Sequence, residues 1–198
     1  MLAFSFAVLF LIITPGPGVM STAGVGAGYG YRPGLAYVGG LFAGNNLVAL
    51  AVVSGFAAVL LSVPFLRSFL FAISLVYLTY LAAKIAFAGS KLAFIGAERP
   101  PGFLGGLALQ PINPKAYVVN TALFTGFPFW PENLAVELAL KFLVLNLIWL
   151  PIHLLWLYAG VTLHRLDLPR KLHIAINVAM AVAMMLVVVI AAVATFNN

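Results

Sequence analysis

The stretch LALQPINPKAYVVNTALF, residues 107–124, decides how the rest of the chain is read. Its flanks are apolar enough for the hydrocarbon of a bilayer, yet its centre holds Pro111, Asn113, Pro114 and Lys115. Proline has no amide hydrogen and its ring collides with the carbonyl four residues earlier, so a helix passing here must stop and restart. Each backbone group freed in hydrocarbon costs several kcal/mol unless protein or water satisfies it. A break of this kind with a cation beside it implies a polar chamber enclosed by other helices.

Composition agrees. Of 198 residues, 64% are hydrophobic and 7% charged, whereas soluble domains carry about 25% charged residues. A soluble fold could not be covered by so few charges, so the chain is expected to be an all-α integral membrane protein, a single transmembrane domain over 1–198. At about 20 apolar residues per span, six spans are predicted at 2–30, 36–62, 65–89, 103–127, 134–159 and 172–196. TPGPG (14–18) breaks the first as QPINPK (110–115) breaks the fourth.

The net charge of +6 is scattered singly, which gives no stripe to follow phosphates and excludes a nucleic-acid partner. Those cations set topology instead. Arg32, Lys84, Lys91, Arg99, Arg165, Arg170 and Lys171 follow spans one, three and five, while only Arg67 and Lys141 lie on the other side. The positive-inside rule puts the larger group in the cytoplasm and both termini outside. The N-terminus has an apolar core without a basic leader or an A-x-A site, so it reads as a span, not a cleaved signal. With no cysteine there is no disulfide or thiolate chemistry. No HExxH, GxSxG or metal cluster occurs, and GVGAGYG lacks the strand context of a nucleotide loop. No enzyme activity, cofactor or metal is expected.

The halves, about 1–98 and 99–198, resemble each other. Pro15 matches Pro111 at a shift of 96, Pro17 matches Pro114 at 97, and Pro33 matches Pro131 at 98. Phe42, Asn46 and Leu47 match Phe142, Asn146 and Leu147 at 100. Three spans per half is an odd number, so the expected architecture is a 3+3 inverted repeat. Paired broken helices in such a repeat point to a transporter site near the midplane.

Half-helix N-termini at Pro17 and Pro114 would each present roughly half a positive charge to an anion. Lys115 lies up to ~18 Å below the start of its span at 1.5 Å per residue. It could snorkel, satisfy loosened carbonyls or pair with a ligand carboxylate; all four carboxylates (Glu98, Glu132, Glu137, Asp167) lie at or beyond span ends. Asn45 and Asn46 add donor–acceptor amides in span two. Asn146, Trp149, His153 and Trp156 share one face of span five. Asn46 and Asn146 read equally as helix glue or site lining. His153 reads as a proton carrier or as a neutral ring bonded to a carbonyl, and the two tryptophans as packing. Glycines at 24 and 28, 40 and 44, and 102 and 106 suit close helix approach, within the chain or in a homodimer.

ITPGPG (13–18), PGLAYVGGLFAGNN (33–46), VYLTYLAAK in span three and INPKAY (112–117) together resemble the LysE/RhtB superfamily, small bacterial exporters of amino acids and related metabolites. The resemblance covers nearly the whole chain. It implies a six-helix inner-membrane exporter, run against protons, with Pro15, Gly16, Pro17, Asn113, Pro114 and Lys115 lining the central site. Where members of that family commonly carry an aspartate after the span-two glycine, this chain has Asn45, which removes a proton carrier and an ammonium partner. The expected partners are an amino-acid-like substrate, the lipid bilayer and a second copy of the chain. A passive facilitator and a non-transporting scaffold are the rival readings.

Overall fold

The computed structural model describes residues 1–14, 16–86 and 99–165, with scattered helical positions between 171 and 186. Every regular element among them is a helix: α1 (Leu2–Ile13), α2 (Pro17–Tyr29), α3 (Tyr31–Val53), α4 (Phe56–Ser62), α5 (Pro64–Ala86), α6 (Gly102–Ile112), α7 (Pro114–Gly126) and α8 (Leu134–Arg165). Pro15, the connection 87–98 and most of the expected sixth span lie outside the described residues.

Both proline-rich motifs break their spans. α1 and α2 meet at 51°. α6 ends at Ile112 and α7 restarts at Pro114, where the missing amide is one that a first-turn residue does not need. Span two departs from expectation. Its helix begins earlier, at Tyr31, and stops at Val53, because Gly55 adopts φ 76°, a left-handed conformation that glycine enters without a Cβ clash. Span five runs on to Arg165 despite Pro151.

α3 and the 29 residues from Leu134 to Thr162 are each long and apolar enough to cross a membrane, and α1 with α2 makes a third if the bent pair is one span. The helices keep apolar side chains on the outside as well as in the core. Leu47, Leu50, Leu143, Leu147 and Leu155 point outward, while Ser21, Thr22, Asn45, Gln110, Asn113, Asn120 and His153 are buried among apolar neighbours. An apolar exterior with polar groups withdrawn inside suits hydrocarbon as solvent.

The two heaviest packings, α3 on α6 and α2 on α8, both join one half of the chain to the other. Glycine makes them close. A Cβ on Gly40 would come within 3 Å of the Phe103 carbonyl, on Gly106 of the Tyr37 carbonyl, and on Gly160 of the Ala23 carbonyl. Tyr77 adds a hydroxyl bond of 2.6 Å to the Gly105 carbonyl. These backbone contacts cluster at the end of the bundle where α2 finishes and α3 and α6 begin. Towards the other end, α1 on α8 and α3 on α7 pack less heavily. Gly106→Ala should therefore cost about 1–3 kcal/mol, the usual range for overpacking. Its melting midpoint in detergent should fall, while Gly126→Ala, with nothing within 4 Å, should match wild type.

Candidate functional site

Each helix break leaves backbone groups to be satisfied, and the way they are satisfied builds the site. In the fourth span, the Lys115 amide cannot reach back along a continuous helix. It bonds instead to Asn113 Oδ1 at 3.1 Å, a side-chain cap on α7. Tyr117 Oη takes the Pro111 carbonyl at 2.8 Å. In the first span, the carbonyl of Thr14 would be served by the amide of residue 18 in an unbroken helix. Lys115 Nζ serves it instead, at 2.5 Å. A single lysine on one broken span thus closes the gap in the other. A Cβ on Gly16 would lie 2.7 Å from Lys115 Cδ, so only glycine leaves the lysine its path.

Around this bridge lies a small open cavity, with about 360 Å³ of empty space when the open solvent at its mouth is included. Its wall includes Thr14 and Gly16 from the first break, Gly18 of α2, Asn45 of α3, Gln110 and Asn113 from the second break, Lys115 of α7, and Trp149 and His153 of α8. Leu11, Ile12, Ala116 and Val119 supply its apolar part. Lys115 is the one charged side chain on the described wall, and no carboxylate faces it.

Two features give the cavity its polarity. Asn120 Nδ2 donates to Asn45 Oδ1 at 3.2 Å and to the Ala116 carbonyl, which fixes the Asn45 amide and leaves Asn45 Nδ2 buried without a partner. An unpaired buried donor on the same wall as a lysine is a costly arrangement that an anionic ligand would relieve. On α8, His153 Nδ1 lies 2.9 Å from the Trp149 carbonyl, and its ring stacks on the Trp149 indole with centroids 3.5 Å apart. A carbonyl only accepts, so Nδ1 carries the proton. Nε2 is turned towards Gly18, where a Cβ would lie 3.3 Å from it.

The expected site residues separate accordingly. Gly16, Asn45, Asn113, Lys115 and His153 come together on the wall. Pro17 and Pro114 start α2 and α7 and are not part of it; Pro15 lies outside the described residues. Asn46 and Asn146 are not on the wall either. Asn46 Nδ2 donates to Asn146 Oδ1 at 3.0 Å and Asn146 Nδ2 donates to Asn46 Oδ1 at 2.9 Å, so both amides are spent joining α3 to α8. Trp149, expected as packing, belongs to the wall and carries the histidine. Sequence reasoning missed Gln110 and Asn120. Gln110 Oε1 accepts from Asn113 Nδ2 at 3.2 Å, a pair whose three-residue spacing was visible in QPIN. Nothing local marked Asn120 as the partner of Asn45, since 75 residues separate them. Among the described residues no group of His, Asp or Glu could hold a metal ion.

The pattern of the family described as "LysE type translocator" matches residues 9–195. A similar curated protein is the "Leucine efflux protein" of Enterobacter sp. (strain 638), 25% identical over 123 residues. That match takes in 60% of this chain and 58% of the relative, so the chain spans under two-thirds of the relative's length. No solved structure matches. Since the family pattern runs through both broken spans and all but the ends of the chain, the protein belongs to the LysE type translocators.

Proposed function

We propose that this chain exports amino acids, or similar small carboxylates, across the bacterial inner membrane by alternating access, and that its six spans form a 3+3 inverted repeat with both termini outside. The observation that carries the reading is Lys115, which reaches from one broken span to the carbonyl of the other in a cavity with no carboxylate on its described wall. A substrate carboxylate supplies the missing anion, with Asn45 Nδ2 as a second donor.

The reciprocal Asn46–Asn146 pair supports the repeat. Residues at matching positions of two repeats touch each other only where the axis relating the repeats passes between them, and these two exchange both of their amide bonds. The unequal packing supports alternating access. Under the repeat, α3 on α6 corresponds to α8 on α1, and α2 on α8 corresponds to α7 on α3. The first of each pair is the heavier. The bundle is thus tight at the proposed cytoplasmic end and looser at the other, an outward-facing arrangement, and its exchange with the mirrored packing would carry substrate out. Because Gly40, Gly44 and Gly106 are used between α3 and α6, a homodimer would have to employ other faces.

Leucine, chosen from the relative's name, is the first probe. Purified protein in proteoliposomes preloaded with labelled leucine should release it faster than empty-vesicle controls. An imposed proton gradient should accelerate that release if protons drive it, His153 being the carrier on the wall. Release indifferent to the gradient would make the protein a facilitator. No release from folded protein, with leucine or a labelled amino-acid mixture, would favour a non-transporting scaffold.

A further inference from the structure

We propose that Nε2 of His153 is the acceptor for the amino group of the substrate, so that the site selects zwitterionic amino acids over simple carboxylates without using any acidic residue. This rests on the amino-acid export reading and specifies how the cavity recognises the second end of the molecule.

The usual partner for an ammonium is a carboxylate, and none lines the described wall. The remaining side-chain acceptors are nearly all engaged. Asn45 Oδ1 accepts from Asn120 Nδ2, Gln110 Oε1 from Asn113 Nδ2, and Asn113 Oδ1 from the Lys115 amide. Thr14 Oγ1 donates to the Phe10 carbonyl and its own carbonyl receives Lys115 Nζ. Among the described wall residues, His153 Nε2 is the one side-chain acceptor that takes part in no hydrogen bond.

Its availability is built in. The Trp149 carbonyl at 2.9 Å holds the proton on Nδ1, which leaves the lone pair on Nε2. The stacked indole of Trp149, itself packed edge-on by Phe42 with centroids 5.8 Å apart, sets the plane of the ring. Gly18 leaves room in front of Nε2, where any Cβ would stand 3.3 Å away. A neutral imidazole is a good acceptor for an ammonium.

The cavity therefore has two chemically distinct poles. Lys115 Nζ and Asn45 Nδ2 are donors for a carboxylate, and His153 Nε2 is an acceptor for an amine. The apolar wall of Leu11, Ile12, Ala116 and Val119 takes the side chain. A proton and an ammonium cannot both occupy Nε2, and the charged group facing that nitrogen is Lys115. Mutual exclusion at one atom is the condition an exchanger needs.

The test is equilibrium binding to purified, detergent-solubilised protein, with leucine and its des-amino analogue 4-methylpentanoate as paired probes. Sites built to pair a polar group reject analogues lacking it strongly, so wild type should prefer leucine by at least about thirtyfold. His153→Phe keeps the stacked ring but removes the acceptor. It should bring the preference to within about threefold by weakening leucine far more than 4-methylpentanoate, and His153→Gln, which restores an acceptor, should recover part of it. Equal weakening of both probes in His153→Phe would mean that the ring only supports the wall, and an unchanged preference would place the amine elsewhere; either overturns the proposal. Folded wild type that binds neither probe would overturn the amino-acid reading and this inference together.

Discussion

Leucine efflux from proteoliposomes should fall roughly a hundredfold when Lys115 is replaced by methionine, because truncating one member of a desolvated charge pair costs about 2–5 kcal/mol. The substitution does two things at once. It removes the cation proposed to hold the carboxylate, and it leaves the Thr14 carbonyl without its donor. Because Thr14 is exposed, the lost bond costs only about 0.5–1.5 kcal/mol of stability by itself. Lys115→Gln separates the effects: the amide can still donate to Thr14 but carries no charge. If the lysine serves the substrate, the glutamine variant melts close to wild type yet transports as poorly as the methionine variant. If it serves only the backbone, the glutamine variant transports normally, and the carboxylate reading of the cavity is wrong. Gly16→Ala gives an independent check. Its Cβ would lie 2.7 Å from Lys115 Cδ and displace the lysine without deleting it. Transport should fall, with the charge still present.

A second large effect is expected far from the cavity, where α8 begins. Lys141 and Glu137 pair at 2.8 Å, one helical turn apart, and both are almost fully buried. Lys141 Nζ also donates to the Phe124 carbonyl at 2.9 Å and sits 5.8 Å from the Phe4 ring and 5.7 Å from the Phe129 ring. Glu137 Oε2 accepts the amides of Phe129 and Trp130 at 3.0 and 2.6 Å. The pair ties α1, the end of α7, the connecting loop and α8 into one assembly. Glu137→Leu strands the ammonium among rings, and breaking a buried pair from one side is far costlier than replacing both members. The melting midpoint should drop by roughly 10 °C at the few degrees per kcal/mol expected for this chain length. Glu137→Leu combined with Lys141→Met should recover part of that loss. Recovery is incomplete because the two loop amides stay unpaired in both variants. Single and double variants that melt alike would show that the pair itself contributes nothing.

This pair also shows how a sequence reading of charge can mislead. Lys141 counts among the cations of the outer side although it falls within the expected fifth span, and in the structure it lies inside α8, paired with Glu137 four residues away. The spacing was there to be read.

Much of the architecture was legible because it depends on local chemistry. Composition alone points to a membrane environment, and the proline motifs alone interrupt the helices between α1 and α2 and between α6 and α7, since proline acts within a turn of its own position. The meeting of Gly16, Lys115 and the two breaks follows the same logic, because freed backbone groups in hydrocarbon must find partners. The boundaries of span two were not legible. Ser54 and Gly55 are as apolar-tolerant as their neighbours, and only the left-handed turn at Gly55 reveals that the helix stops there.

The sequence by itself determined that the chain is helical, lives in lipid, breaks twice and places a lysine without an acidic partner at the second break. Only the tertiary structure decided which polar groups face the cavity. Asn45 and Asn46 are adjacent in the chain, equally polar and equally placed in FAGNN. One lies on the wall and the other is spent on Asn146, because consecutive residues of a helix point about 100° apart and packing against α7 and α8 selects between them. That the lone pair of His153 sits on Nε2 was equally out of reach of the sequence, because the contact of Nδ1 with the Trp149 carbonyl places the proton. Residue type is written in the chain, but direction is set by which helix packs against which.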